Sequence, residues 1–149
     1  KYVYDFGDTG HLTPLVKMHT LGSTFIPPAT HSGGLRYHGM APMVSHLKEL
    51  GIIEAKAFGQ KECFEAGIKF ANVEGIVPAP EATHAVKGAI EAALECKKNG
   101  KSKTILFNLC GHGHFDMEAY SDYFDNKLAD DIYNETEVNK ALEALPKIA

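Results

Sequence analysis

The chain predicts an α/β domain with a mostly parallel sheet and flanking helices, and three observations carry that prediction. Strand-like apolar runs alternate with segments of helical periodicity. The run Thr104-Ile105-Leu106-Phe107-Asn108-Leu109 has the length and β-branched content of a buried strand. It breaks off into Cys110-Gly111-His112-Gly113-His114, and open α/β sheets place ligands in loops outside the carboxyl ends of their strands.

The other elements follow in order. Tyr2 to Phe6 reads as a short strand, then Gly7-Asp8-Thr9-Gly10 as a turn. Thr13 and Pro14 suit the N-cap and first position of a helix that would stop at Gly22. Residues 23 to 39, with Pro27, Pro28, Gly33, Gly34 and Gly39, form a long irregular connection of the kind that is functional or disordered. Met40 to Leu50 predicts a helix ended by Gly51, and Ile52 to Phe58 a strand closed by Gly59. Gln60 to Asn72 is a second helix, with Cys63, Phe64, Ile68 and Ala71 on one side. Ile76 to Pro80 must be extended, because two prolines forbid a helix there. Glu81 to Lys98 is the clearest helix: Val86, Ile90, Ala93 and Leu94 repeat along one face before Gly100. Further helices are predicted over Met117 to Leu128 and Val138 to Leu145.

The 149 residues suit one domain over 1–149. Within it, 1–39 form the sheet entry and active-site loop, 40–128 the α/β core and 129–149 a tail helix. A hydrophobic fraction of 44% with 23% charged residues is that of a soluble globular chain. The net charge of −4 provides no basic footprint for nucleic acid. No apolar run approaches the roughly 20 residues that span a bilayer. Cys63, Cys96 and Cys110 have no close pairing, which points to reduced thiols and a cytoplasmic location. The chain begins at Lys1 without a methionine, and the expectation is a processed, cleaved or partial product.

The residues leave several chemistries open. Cys110, His112 and His114 are zinc-type ligands, but neither CxxC nor HExxH spacing is present. Cys110 is alternatively a nucleophile beside His112, or a small buried thiol at a strand end. Glu81 is a first-turn carboxylate that complements its helix dipole, or an acid that faces a ligand. Gly33-Gly34-Leu35-Arg36-Tyr37-His38-Gly39 reads as a binding loop or as a solvated turn.

Taken together, three segments resemble one family. Gly33 to Gly39, Pro78-Ala79-Pro80-Glu81-Ala82-Thr83-His84-Ala85 and Asn108-Leu109-Cys110-Gly111-His112-Gly113 are similar, in order and spacing, to the carboxyl-terminal part of tryptophan synthase β chains. Gly7-Asp8-Thr9-Gly10-His11-Leu12-Thr13-Pro14-Leu15 resembles the opening of that region in the second, longer subtype. The likeness runs from about Tyr4 to Phe124.

It implies the type II fold of pyridoxal 5′-phosphate enzymes and the joining of L-serine and indole into L-tryptophan. By position, Glu81 matches an acid–base carboxylate that assists loss of the serine hydroxyl and attack of indole. Cys110 falls where the family usually has a serine beside the cofactor's pyridine nitrogen, with Gly111 next to it. Gly34 matches a glycine of the substrate cleft, and the carbonyls of Tyr37 and Gly39 match positions that help bind a monovalent cation. A homodimer, and an α chain as further partner, are also implied.

Three departures matter. A thiol at Cys110 donates more weakly than a hydroxyl. Arg36 replaces an aspartate of the first subtype, and a guanidinium favours a phosphate leaving group, so O-phospho-L-serine is a candidate substrate beside L-serine. No lysine here lies in a His-Lys-x-Asn context, and the glycine-serine-asparagine phosphate loop is missing too. The expectation is therefore a carboxyl-terminal fragment, inactive by itself. A free-standing ligand-binding or assembly module, and a small metalloprotein on the Cys110 loop, are the alternatives.

Overall fold

A computed structural model of the chain describes residues 1–130 and 134–147. The chain folds into two units, each packed mainly on itself. One holds Lys1–Ala29, Arg36–Ala55 and the described residues from 134 onward; the other holds Thr30–Leu35 and residues 56 to 130. No helix among the described residues is long and apolar enough to cross a membrane.

In the first unit β1 (Tyr2–Asp5) pairs antiparallel with β2 (Val16–His19), in the register Tyr2 to His19 and Asp5 to Val16. The predicted helix from Thr13 is thus a strand. Thr13 is not free to cap, because its hydroxyl accepts the Gly7 N–H and donates to Asp8. The ladder with β1 then takes the backbone groups that a helix would have used. Asp5 is fully buried and satisfied, with one oxygen accepting the Phe6 N–H (2.8 Å) and the other the Thr20 hydroxyl (2.7 Å).

Helix α1 (Pro42–Glu49) packs on β2, and the hydroxyl of its Ser45 accepts the His19 N–H. Helix α5 (Glu135–Glu143) starts at Asn134, whose side chain accepts the Thr136 N–H. It lies so near Gly22 (φ 101°) that a side chain there would strike the Ala141 carbonyl. Residues 131–133 and 148–149 of the predicted tail lie outside the described residues.

The second unit is helical. Helices α2 (Gln60–Glu74) and α3 (Pro80–Lys98) pack side by side, with α4 (Met117–Phe124) against α2. Phe64, Ala119, Tyr120 and Leu128 form the core, and Phe64 meets the Tyr120 ring edge-on at 5.0 Å. The α2 N-terminus is capped in two ways: Glu62 accepts the Gly59 N–H, and Asp130 accepts the Lys61 N–H. Gly75 ends α2 in the left-handed conformation that glycine tolerates.

Two predicted strands are absent as strands. Neither Ile52 to Phe58 nor Thr104 to Leu109 joins a strand ladder among the described residues. Thr104 to Leu109 is not buried either: Leu106 is 93% exposed. It still alternates, since Ile105 and Phe107 are half-buried and Phe107 meets Phe70 edge-on. A ladder needs a neighbouring strand, and the sheet among the described residues holds β1 and β2 alone. Helices and strands are therefore mixed, as predicted, and the strands among the described residues form one two-stranded antiparallel ribbon.

The Gly7–Thr13 loop carries a pH dependence. Amide N–H groups of Thr13 and Leu12, and then the Thr13 hydroxyl, donate to Asp8 and lower its pKa from 3.8 to about 2. A carboxylate depressed on folding lends its stabilisation above the unfolded pKa and loses it as pH falls through the folded one. The loop should therefore loosen between pH 3.8 and about 2. NMR shifts of the Leu12 and Thr13 amides should titrate near the lower value and stop titrating in Asp8→Asn. A midpoint at the ordinary carboxylate value would contradict this.

Candidate functional site

Pro78-Ala79-Pro80 leads into α3, and two of its three residues lack an N–H. The remaining donor, Ala79, gives its N–H to the Gly111 carbonyl at 2.9 Å. Gly113 N–H in turn reaches the Val77 carbonyl at 2.7 Å. These two bonds close a single antiparallel bridge between Pro78 and His112. The segment that starts the Glu81 helix is thereby tied to the loop that carries Cys110.

Glycine is required at the closest point. A Cβ on Gly113 would lie 2.6 Å from the Pro78 carbonyl oxygen and 3.0 Å from the Tyr120 ring. Gly111 is less confined, with Ala79 Cβ 3.1 Å from the equivalent position. Pro78 is fully buried, and its carbonyl accepts the Tyr120 hydroxyl at 2.5 Å. Burial first, then the Asp116 charge, pushes the Tyr120 phenol up to about 12, so it remains a donor at ordinary pH.

Glu81 sits in the first turn of α3, after Pro80 at N1. It is half-buried, and its Oε1 accepts the Gly34 N–H at 2.8 Å. Gly34 belongs to the short 3₁₀ turn Gly33–Leu35, where a Cβ would meet Glu81 at 3.2 Å. Two residues singled out in the sequence, Gly34 and Glu81, are thus brought into contact. Thr83 and His84 each bond the Pro80 carbonyl, which fixes this first turn further.

Cys110 is exposed, which removes the reading of a small buried thiol. The buried cysteine is Cys63, whose thiol is pushed up to about 12, chiefly by burial. His112 Nδ1 takes the His114 N–H, and the two rings meet edge-on at 4.7 Å. Among the described residues, no three His, Cys, Asp or Glu side chains are grouped to hold a metal ion.

Arg36, Tyr37 and Gly39 belong to the first unit. Arg36 is exposed and spends one Nη2 donor on the Pro27 carbonyl at 3.1 Å, which leaves other guanidinium donors unused by that bond. Gly39 bridges Thr20 through bonds made by their neighbours, from Leu21 N–H to His38 and from Met40 N–H to His19. A side chain at Gly39 would collide with the Met18 sulfur.

Sequence reasoning missed Tyr120 and Gly67 as parts of this arrangement. Only one signal was available for them: a phenol on an apolar helix face needs a hydrogen-bond partner once buried. A cavity of about 450 Å³ beside the α2 N-terminus is lined by none of the candidate site residues.

Two glycine substitutions test the bridge. Gly113→Ala should lower the unfolding free energy by about 2–3 kcal/mol through overpacking against Pro78. Gly33→Ala, where nothing lies within 4 Å, should change it by less than about 0.5 kcal/mol. Urea midpoints of the two variants measure the contrast, and equal midpoints would refute it.

No family model matches the chain. Single proteins do. The chain is 59% identical over 128 residues to tryptophan synthase beta chain 2 of Methanosarcina mazei, a match covering 86% of this chain and 29% of that relative. The protein of the same name from Aquifex aeolicus is 58% identical over 130 residues, covering 87% and 30%. That of Thermococcus kodakarensis is 56% identical over 129 residues, covering 87% and 29%. The resemblance drawn from the sequence motifs is borne out. The chain spans less than a third of the length of these relatives.

Proposed function

We propose that this chain is a portion of a tryptophan synthase β chain and acts, within the complete polypeptide, in joining L-serine and indole into L-tryptophan. One observation carries the reading: the Gly34 turn, the Glu81 helix start and the Cys110–Gly111 loop, distant in sequence, are hydrogen-bonded to one another in one unit. The similarity to proteins of that name supports it. In the complete polypeptide Thr104 to Leu109 is a strand of a mostly parallel sheet, the type II arrangement. Its unbroken apolar run Ile105-Leu106-Phe107 supports this.

The residues present fit one edge of a pyridoxal 5′-phosphate ring. Cys110 offers an exposed thiol to the ring nitrogen, and Gly111 follows it in the same loop. Bound there, the cofactor supplies the electron-withdrawing ring that β-replacement needs. Cys110 holds the ring nitrogen by a weak hydrogen bond without delivering a full proton. Glu81 Oε1 is held by Gly34, and its other oxygen moves the proton of the serine leaving group.

Arg36 binds the substituent that leaves, and prefers it phosphorylated, because guanidinium matches phosphate bidentately. The carbonyls of Tyr37 and Gly39 help hold a monovalent cation. The working form is a cytoplasmic homodimer, with an α chain as its partner.

Glu81→Gln in the full-length polypeptide tests the site. The amide oxygen still accepts the Gly34 N–H, so the fold should persist while kcat falls by about 100-fold or more. Tryptophan formation at the original rate would overturn the role of Glu81. Arg36→Leu should remove a preference for O-phospho-L-serine over L-serine, as read from kcat/KM for each. Equal use of both by the unaltered enzyme would refute the assignment of Arg36.

A further inference from the structure

The Pro78–His112 bridge is one residue long, yet it ties together the two segments that carry Glu81 and Cys110. Its hydrogen bonds run through the flanking residues. Neither bond uses the Pro78 carbonyl, which belongs to a buried residue and takes the Tyr120 hydroxyl instead. Tyr120 is itself buried on α4, edge-on to Phe64.

Helix α2 opens space for that hydroxyl. A Cβ on Gly67 would lie 2.6 Å from the Thr83 methyl, 3.1 Å from Tyr120 Oη and 3.4 Å from the Pro78 ring. One glycine thus admits three groups: the phenol, the proline it bonds, and a residue two positions after Glu81 on α3. The Tyr120 ring also bounds Gly113, 3.0 Å from where a Cβ there would lie.

We propose that Tyr120 is a positioning residue: from the niche at Gly67 its hydroxyl clamps the Pro78 carbonyl and so sets Glu81 relative to Cys110. The catalytic half of this inference rests on the function proposed above. Tyr120 touches neither substrate nor cofactor; it acts through Pro78 on the α3 start and through Gly113 on the Cys110 loop. Losing the hydroxyl leaves the packing of the ring intact and frees the bridge to shift.

The test compares Tyr120→Phe and Gly67→Ala with wild type in the full-length polypeptide. The first removes the hydroxyl and keeps the ring; the second keeps the hydroxyl and fills its niche. In both, the Ala79 and Gly113 amides should exchange with solvent about tenfold faster, while α3 amides beyond the first turn keep their protection. In Tyr120→Phe, kcat for tryptophan formation should fall about tenfold with the KM for serine within about twofold, because misplacement acts on the reacting geometry more than on binding. A purely structural role would speed exchange throughout the unit, and that pattern would overturn the proposal. So would an unchanged kcat in an active enzyme. If wild type makes no tryptophan, the function proposed above fails, and the exchange comparison still decides the clamp.

Discussion

The second unit depends on how Pro78-Ala79-Pro80 satisfies its backbone. Two prolines leave one N–H among three residues, so the segment cannot lie inside a helix or a continuous ladder. Its donor goes to Gly111, and its buried carbonyl at Pro78 is met by a side chain from α4. The starting point and direction of α3 follow from these bonds. So does the place of Glu81, one residue past the proline that opens the helix. An unmet buried carbonyl would cost about 1–3 kcal/mol, comparable to many whole side-chain contacts.

The first unit solves a similar problem with different means. Asp5 is a carboxylate at zero exposure, and it is tolerated because the Phe6 amide and the Thr20 hydroxyl both donate to it. Thr20 Oγ1 also accepts the Gly22 N–H, which leads to the turn on which α5 rests. At Asp8 the same device works nearer the surface, where two amides and a hydroxyl hold a half-buried carboxylate. Short-range polar closure organises the loops of this unit, with Met18 and Phe25 as apolar fill.

Helices were the legible part of the fold. Glu81 to Lys98 and Gln60 onward announced themselves by apolar repeats and terminal glycines, and α2 and α3 form there. The site was legible as motifs: Gly34, Glu81 and Cys110 stood out because each segment combines special backbone residues with a chemical group. Strands were less legible. Val16 to His19 looked helical because Thr13-Pro14 is a good helix start, whereas Thr13 is committed to the Asp8 loop. Thr104 to Leu109 looked buried because composition reports a preference for partners and not their presence.

The sequence by itself determined that helices run over most of Gln60 to Asn72 and Glu81 to Lys98, that the chain just before Pro80 is extended, and which family the motifs resemble. These are local properties, set by propensity, proline geometry and residue order. Only the tertiary structure decided that Glu81 lies on the Gly34 amide, that Cys110 is exposed, and that Tyr120 reaches Pro78 across 42 residues. Such contacts depend on which buried polar groups still lack a partner once the helices have packed. No window of sequence contains that information, because the donor and its acceptor belong to different elements.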